Sequence, residues 1–358
     1  MFSNKVSNKD LLVLFNCLER YDNTGLSPQN AIQEFCNVNP NMILNNKLQE
    51  VCKDLRNGYF LSGALEKHPE IFPAYCLELL KVGEKTGDTN KVYLEIINYL
   101  DEQIKIESSM KSALMMPKIF GVLIVFILIG YVFFVLPRIT QQLSQMDADV
   151  PLVTKLLMNF GQIAVDYWFI WLVFAAGGYA AFRISRRKYP LFYDFIRYRL
   201  PVFGELYSLQ LNYQFTKLIA ICYAADIDIR RSLSITSSAI SSPCMKKCLD
   251  NVVAKISRQG ADFIKALQES DEYKLLNPFL YPLLSAGVIS DSLGKVLADE
   301  SDRCVRRINL AIKKVEEKVG NLVLIPIWSV LILVMLAIVL PLLSMIEKTG
   351  SKIISGGL

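Results

Sequence analysis

Residues 119–136, IFGVLIVFILIGYVFFVL, contain no charged side chain. An 18-residue uncharged run, at about 1.5 Å of rise per residue, approaches the thickness of a bilayer's hydrocarbon core. Lys111 and Lys118 precede it and Arg138 follows it; Pro117 enters the run and Pro137 leaves it. A soluble core helix rarely needs so many consecutive apolar residues, so the run reads as a membrane-spanning helix.

Two more apolar blocks follow. Residues 162–182 include YWFIWLVFAAGGYAAF, with Trp168 and Trp171 suited to an interface and Gly177-Gly178 permitting close helix contact. Residues 322–346 are uncharged and long enough to span with some tilt. Arg183, Arg186, Arg187 and Lys188 follow the second block, and Lys313, Lys314 and Lys318 precede the third. Basic residues beside spans stay in the cytoplasm, which makes these clusters determinants of topology. A net charge of +5 concentrated there points to a lipid bilayer as partner, with no nucleic acid expected. The polar start, MFSNKVSNKD, lacks a signal-peptide core and is expected to stay in the cytoplasm. All eight cysteines lie in the two polar regions, as expected of reduced cytosolic segments.

The resulting division is a cytoplasmic bundle over 1–110, a helix entering the first span over 111–137, and a periplasmic loop over 138–161. A second span over 162–182, a second cytoplasmic bundle over 183–320 and a third span over 321–346 follow. A periplasmic tail over 347–358 is expected to be short and disordered. The expected fold is an all-α membrane protein with two repeated cytoplasmic helical bundles, about six helices each, and three transmembrane helices.

Within 1–110, apolar periodicity predicts short amphipathic helices. Leu11, Leu12, Leu14, Phe15 and Leu18 form one stripe; Ile43, Leu44, Leu48, Val51, Cys52 and Leu55 form another. Ser27-Pro28 opens a second helix, a fourth starts near Ser62, and a fifth runs from Pro73 to Val82. Gly83 through Gly87 is expected to turn, with Asp88 capping a long sixth helix. Residues 8–137 resemble 208–341 at an offset near 200: Gly58 meets Gly260, Leu80 meets Leu284, Gly83 meets Gly287, and Leu136-Pro137 meets Leu340-Pro341.

Gly83-Glu84-x-x-Gly87, Pro117, Val135-Leu136-Pro137 and the counterparts Gly287 and Pro341 resemble the GspF/PilC family, inner-membrane platform proteins of type II secretion systems and type IV pili. Met116 stands where the family usually has Tyr or Thr, and Val288 and Asp291 replace the second copy's Glu and Gly. These departures suggest a divergent member, of the type IVb pilus branch. The resemblance implies a non-enzymatic scaffold in the bacterial inner membrane that couples a cytoplasmic hexameric assembly ATPase to pilins or pseudopilins. Other inner-membrane assembly proteins and a second copy of the chain are further implied partners. A membrane-anchored adaptor or a channel or transporter subunit is the alternative, although the apolar blocks hold essentially no interior ionisable residue to mark a path, Asp166 lying close to an interface.

The residues themselves offer no catalytic set, cofactor site or metal site. His68 is the one histidine and reads as a capping or surface residue. GEKTGD at 83–88 lacks the ending of a phosphate loop. Asp147 and Asp149 are too few for a closed calcium site. Glu84 reads either as a cap for the following helix or as a partner contact.

Overall fold

The computed structural model describes residues 6–113, 115–130, 188–199 and 203–355, with single positions between 134 and 185. Among the described residues the regular structure is helical throughout. The first six helices are α1 (Asn8–Asn23), α2 (Pro28–Val38), α3 (Met42–Arg56), α4 (Leu61–Glu66), α5 (Ala74–Thr86) and α6 (Thr89–Ala113). Next come α7 (Met115–Gly130), α8 (Pro190–Arg199), α9 (Phe203–Ala224) and α10 (Ile229–Ala239). The last four are α11 (Pro243–Gln259), α12 (Phe263–Ser270), α13 (Leu280–Ile289) and α14 (Leu293–Ser355).

Residues 1–110 and 190–312 form one compact unit. Its helices begin where local chemistry favours them. Ser7 and Asp10 make a reciprocal capping box on α1, and Pro28 occupies the first turn of α2. Asn41 caps α3 and Ser242 caps α11. The predicted α1 stripe buries Leu11, Leu14, Phe15 and Leu18, with Leu12 at its edge. Leu44, Leu48, Val51 and Cys52 of α3 join the same core.

The punctuation of the two halves corresponds position by position. α2 and α10 each contain 11 residues. Gly25 before α2 and Asp226 before α10 both have positive φ, at 71° and 56°. Gly58 after α3 and Gly260 after α11 do too, at 87° and 62°. Leu26 N–H bonds back to the Tyr21 carbonyl, and Ile227 N–H to that of Cys222, at 3.0 Å in both.

The halves meet across α5, α6, α9 and α10. Glu78 on α5 pairs with Arg231 on α10. Tyr75 meets Tyr99 edge-on at 4.9 Å, and Tyr99 stacks on Tyr213 at 6.3 Å. The Tyr213 hydroxyl donates to the Glu102 carboxylate, which Lys217 approaches at 3.4 Å.

Residues 111–189 and 313–358 form the second unit. Among the described residues, the helical stretch Thr89–Ile127 is long and apolar enough to cross a membrane, and almost none of its apolar window is buried. The loop at 138–161 and the span at 162–182 fall almost wholly outside the described residues, as do Leu136, Asp147, Asp149, Arg186 and Arg187.

Two expectations need correction. α5 runs through Gly83 and Glu84 to Thr86, so the turn reduces to Gly87 and Asp88. The tail is helical to Ser355, and α14 passes through Pro341 without ending. Extending an established helix adds one hydrogen bond for each non-proline residue fixed, the costly nucleus is already in place, and the single bond lost at Pro341 does not end the run.

Candidate functional site: the glycine corner and its counterpart

Gly83, Glu84 and Gly87 lie where α1 ends, α4 begins, and α5 hands over to α6. Phe60 precedes α4 but has no side-chain oxygen to satisfy the first amides. Glu84 supplies it from α5. Its carboxylate accepts the Ser62 backbone N–H at 2.8 Å and the Ser62 hydroxyl as well. A carboxylate at a helix N-terminus also meets the favourable end of the helix dipole. Glu84 therefore caps a preceding helix, not the following one that its place in the sequence suggested.

Gly83 serves close approach. A Cβ there would stand 3.0 Å from Val92 Cγ2 and 3.2 Å from Thr89 Cα on α6. Gly87 takes φ +77°, the left-handed conformation that ends α5. Asp88 then accepts the Lys91 N–H at 3.3 Å and caps α6. The start of α6 is tied to the end of α1: the Thr89 hydroxyl donates to Asp22 at 2.9 Å, and the Asn90 amide donates to Asn23 at 2.7 Å. Beneath the corner, burial first, then the Asp22 and Glu84 carboxylates, push the Tyr93 phenol up.

The second corner has the same geometry built from other chemistry. A Cβ on Gly287 would meet Leu293 Cα at 3.1 Å and Val296 Cγ2 at 3.3 Å. These three residues each stand 204 positions beyond Gly83, Thr89 and Val92. Asp291 replaces Gly87 and still adopts φ +51°, a conformation that short polar side chains tolerate. Val288 replaces Glu84 and leaves no carboxylate to reach α12. Asp262 caps α12 itself, accepting from Ile264 N at 3.1 Å and Lys265 N at 3.2 Å. The polar tie at Thr89 and Asn90 also has an apolar replacement: Gly294 lies so close to Tyr223 that a Cβ would be 2.7 Å from its ring.

Outward, the corners differ. Glu84 and Lys85 occupy the first, whereas Val288 and Ile289 are exposed at the second, Ile289 to 84%. Pro117 lies near the start of α7, within the longer helical stretch Thr89–Ile127. Pro137 and Arg183 are exposed, as is Lys188, whose ammonium lies 5.9 Å from the Tyr189 ring.

His68 departs from expectation. It is 5% exposed, not a surface residue. Its Nε2 lies 3.5 Å from a Glu50 oxygen and its Nδ1 3.9 Å from one of Glu70. It lines a cleft of about 570 Å³ with Lys47, Lys53 and Lys67. The backbone turns directly after it: the His68 carbonyl accepts from the Ile71 and Phe72 N–H groups.

Sequence reasoning named Ser62 only as a helix start and missed Asp22, Asp262 and Gly294. An aspartate at the start of a helical pattern could have identified Asp262; the others act through neighbours distant in the chain.

The family model described as Type II secretion system (T2SS), protein F matches the chain twice, over residues 23–137 and 215–341. The Type II secretion system protein F of Aeromonas hydrophila is 21% identical over 351 residues, covering 96% of this chain and 88% of its own. The Type IV pilus assembly protein PilC of Thermus thermophilus is 23% identical over 349 residues, covering 94% and 83%. The Protein transport protein HofC homolog of Haemophilus influenzae is 19% identical over 352 residues, covering 96% and 87%. Each family match ends on the proline of one half, and each contains one of the two glycine corners: the chain belongs to the type II secretion system protein F family, also known as the GspF/PilC family.

Proposed function

We propose that this chain is a non-enzymatic inner-membrane platform for building a type IV pilus or type II secretion pseudopilus. Two copies of a six-helix module, 1–110 and 183–320, face the cytoplasm. Three spans, at 119–136, 162–182 and 322–346, tie them to the bilayer, with the C-terminus in the periplasm. The platform couples a cytoplasmic assembly ATPase to pilin subunits. Lifting a pilin out of lipid forfeits the burial of roughly 20 apolar residues, which the filament core must replace. Directed work of that kind needs a stiff connection between the cytosolic body and the membrane.

The observation that carries this reading is the contrast along the helical stretch formed by α6 and α7, and along α14. α6 packs Ile96, Tyr99 and Leu100 into the core, and α14 packs Leu297, Cys304 and Ile308. Further along, Val122, Phe126, Ile325 and Trp328 stand exposed. Buried faces that give way to unburied apolar ones suit a helix passing from protein into lipid. Gly83, Glu84 and Gly87, with Gly287 and its neighbours, hold the starts of these helices in place.

The test is membrane extraction of the tagged full-length chain from its host, followed by capture. Co-purification of the assembly ATPase and a pilin, with loss of filaments or secretion on gene deletion, is expected. Normal filaments and secretion after deletion, with solute flux through liposomes holding the chain, would overturn the reading in favour of a channel. Periplasmic reporter fusions after residue 150 and at the C-terminus should be active, and one near residue 250 silent.

A further inference from the structure

Helix α8 is fixed to the cytoplasmic body by one face. Asp194, at its centre, is buried and accepts hydrogen bonds from the Tyr207 and Ser242 hydroxyls and from Cys244 N–H at 3.1 Å. The Phe195 ring lies 5.8 Å from that of Tyr273, and the Tyr198 hydroxyl donates to the Lys274 carbonyl at 2.7 Å. These contacts set the rotation of α8 about its axis.

Helical spacing places Phe192, Ile196 and Arg199 on the opposite stripe. Phe192 is 61% exposed, and Ile196 is exposed beside it. A helix bolted down by a buried carboxylate yet showing apolar side chains outward has an apolar face that needs a partner. Its charge specifies which. Residues 183–199 contain six basic residues and one acidic residue, and the acidic one is Asp194, turned inward. Arg199 lies over the Phe195 ring at 4.8 Å, on the stripe, whereas Arg197 lies over the Tyr207 ring at 4.4 Å, toward the anchored face.

We propose that the outer stripe of α8 lies on the surface of an anionic lipid leaflet. Phe192 and Ile196 sit at the boundary of headgroups and acyl chains, and Arg199 faces lipid phosphates, with the basic run that leads into the helix adding positive charge. An apolar stripe with basic flanks is the composition of an interfacial helix. A helix of ten residues binds lipid weakly alone. This one follows the apolar segment 162–182 by eight residues, so tethering makes its lipid contact effectively intramolecular. The proposal rests on the reading of 162–182 as a span.

The test uses the purified full-length chain in nanodiscs, either wholly phosphatidylcholine or rich in phosphatidylglycerol. The photo-crosslinker p-benzoyl-phenylalanine replaces Phe192, Phe174 within the second apolar segment, or Leu94 on α6, and adducts are identified by mass spectrometry. Phe192 and Phe174 should yield lipid adducts and Leu94 none. The Phe192 yield should be at least about threefold higher in anionic discs, as expected for several basic residues near charged headgroups, with Phe174 indifferent. Failure at Phe174 overturns the spanning segment. Lipid adducts at Phe174 with none at Phe192, equal Phe192 yields in both discs, or a Phe192 crosslink to a second copy of the chain overturns the lipid-surface proposal.

Discussion

Glu84 holds the backbone amide of Ser62 at 2.8 Å, 22 residues upstream, and so closes the start of one helix with the side chain of the next. Position 288, its counterpart, is Val, and the corresponding helix is closed by Asp262 instead. At matched corners, the same demand for a negative cap is met by residues in different places.

Replacing Glu84 with Ala leaves the α4 amides without their acceptor. The expected loss is about 1–2 kcal/mol, the usual value of a helix cap. Glu84→Gln should recover part of it, because an amide oxygen still accepts. Asp262→Ala should cost a similar amount and Val288→Ala almost nothing. Denaturation of the detergent-solubilised full chain would measure all four.

At Gly83 and Gly287 a side chain has no room. Gly83→Ala forces α6 away from α5, at about 1–3 kcal/mol for an overpacked contact. Gly87→Ala meets no neighbouring atom but must adopt positive φ, at a cost of about 1 kcal/mol. Asp291→Gly, at the matched corner, should leave stability unchanged or slightly raised. A thermal scan ranking Gly87→Ala as more damaging than Gly83→Ala would contradict the assignment of close approach to Gly83.

The seam between the halves combines an aromatic stack with ion pairs. Tyr213→Phe removes the donor to Glu102 but leaves Lys217 3.4 Å away, so a loss of about 1–3 kcal/mol is expected. Arg231 is more than half exposed, and its coupling to Glu78 should fall within about 0.2–1 kcal/mol in a double-mutant cycle. Added salt should erode the second effect and spare the first.

Burial pushes the Cys76 thiol from its ordinary 9.0 up to about 12, and burial with neighbouring carboxylates brings Cys222 and Cys248 to about 12 as well. An unfolded chain releases these protons from about pH 9, whereas the folded chain keeps them until about pH 12. Folded stability is therefore complete below pH 9 and declines as pH rises across that window. Cys76→Ala should flatten part of the decline in melting temperature. Near pH 8, a maleimide reagent should modify the half-buried Cys17 and Cys36 before the fully buried thiols.

The apolar stripe of α1 was legible because burial on a helix leaves a periodic trace, and Ser27-Pro28 marked α2 through local chemistry. The corner was legible as a place but not as a mechanism. Gly-Glu-Lys-Thr-Gly reads as a turn because glycine disfavours helix, yet Gly83 remains helical, since what it provides is room for Val92 and Thr89. The tie from Glu84 to Ser62 crosses two helices and leaves no periodic signal. Asp194 sits among aromatic and basic residues with nothing nearby to show that Ser242 and Cys244 will close over it. His68 looked like a surface residue beside a proline, yet the chain turns back there at Ile71 and Phe72 and the ring is buried.

Because Asp262 does the capping in its own half, position 288 is released from any duty inside the fold. Its side chain is nearly half exposed and answers to whatever brushes the outside of the protein. Variation among relatives at position 84 should track the integrity of the domain, while variation at 288 and 289 should track the company the protein keeps. A Val288→Lys chain that melts normally but no longer assembles filaments would identify the second corner as a place of contact.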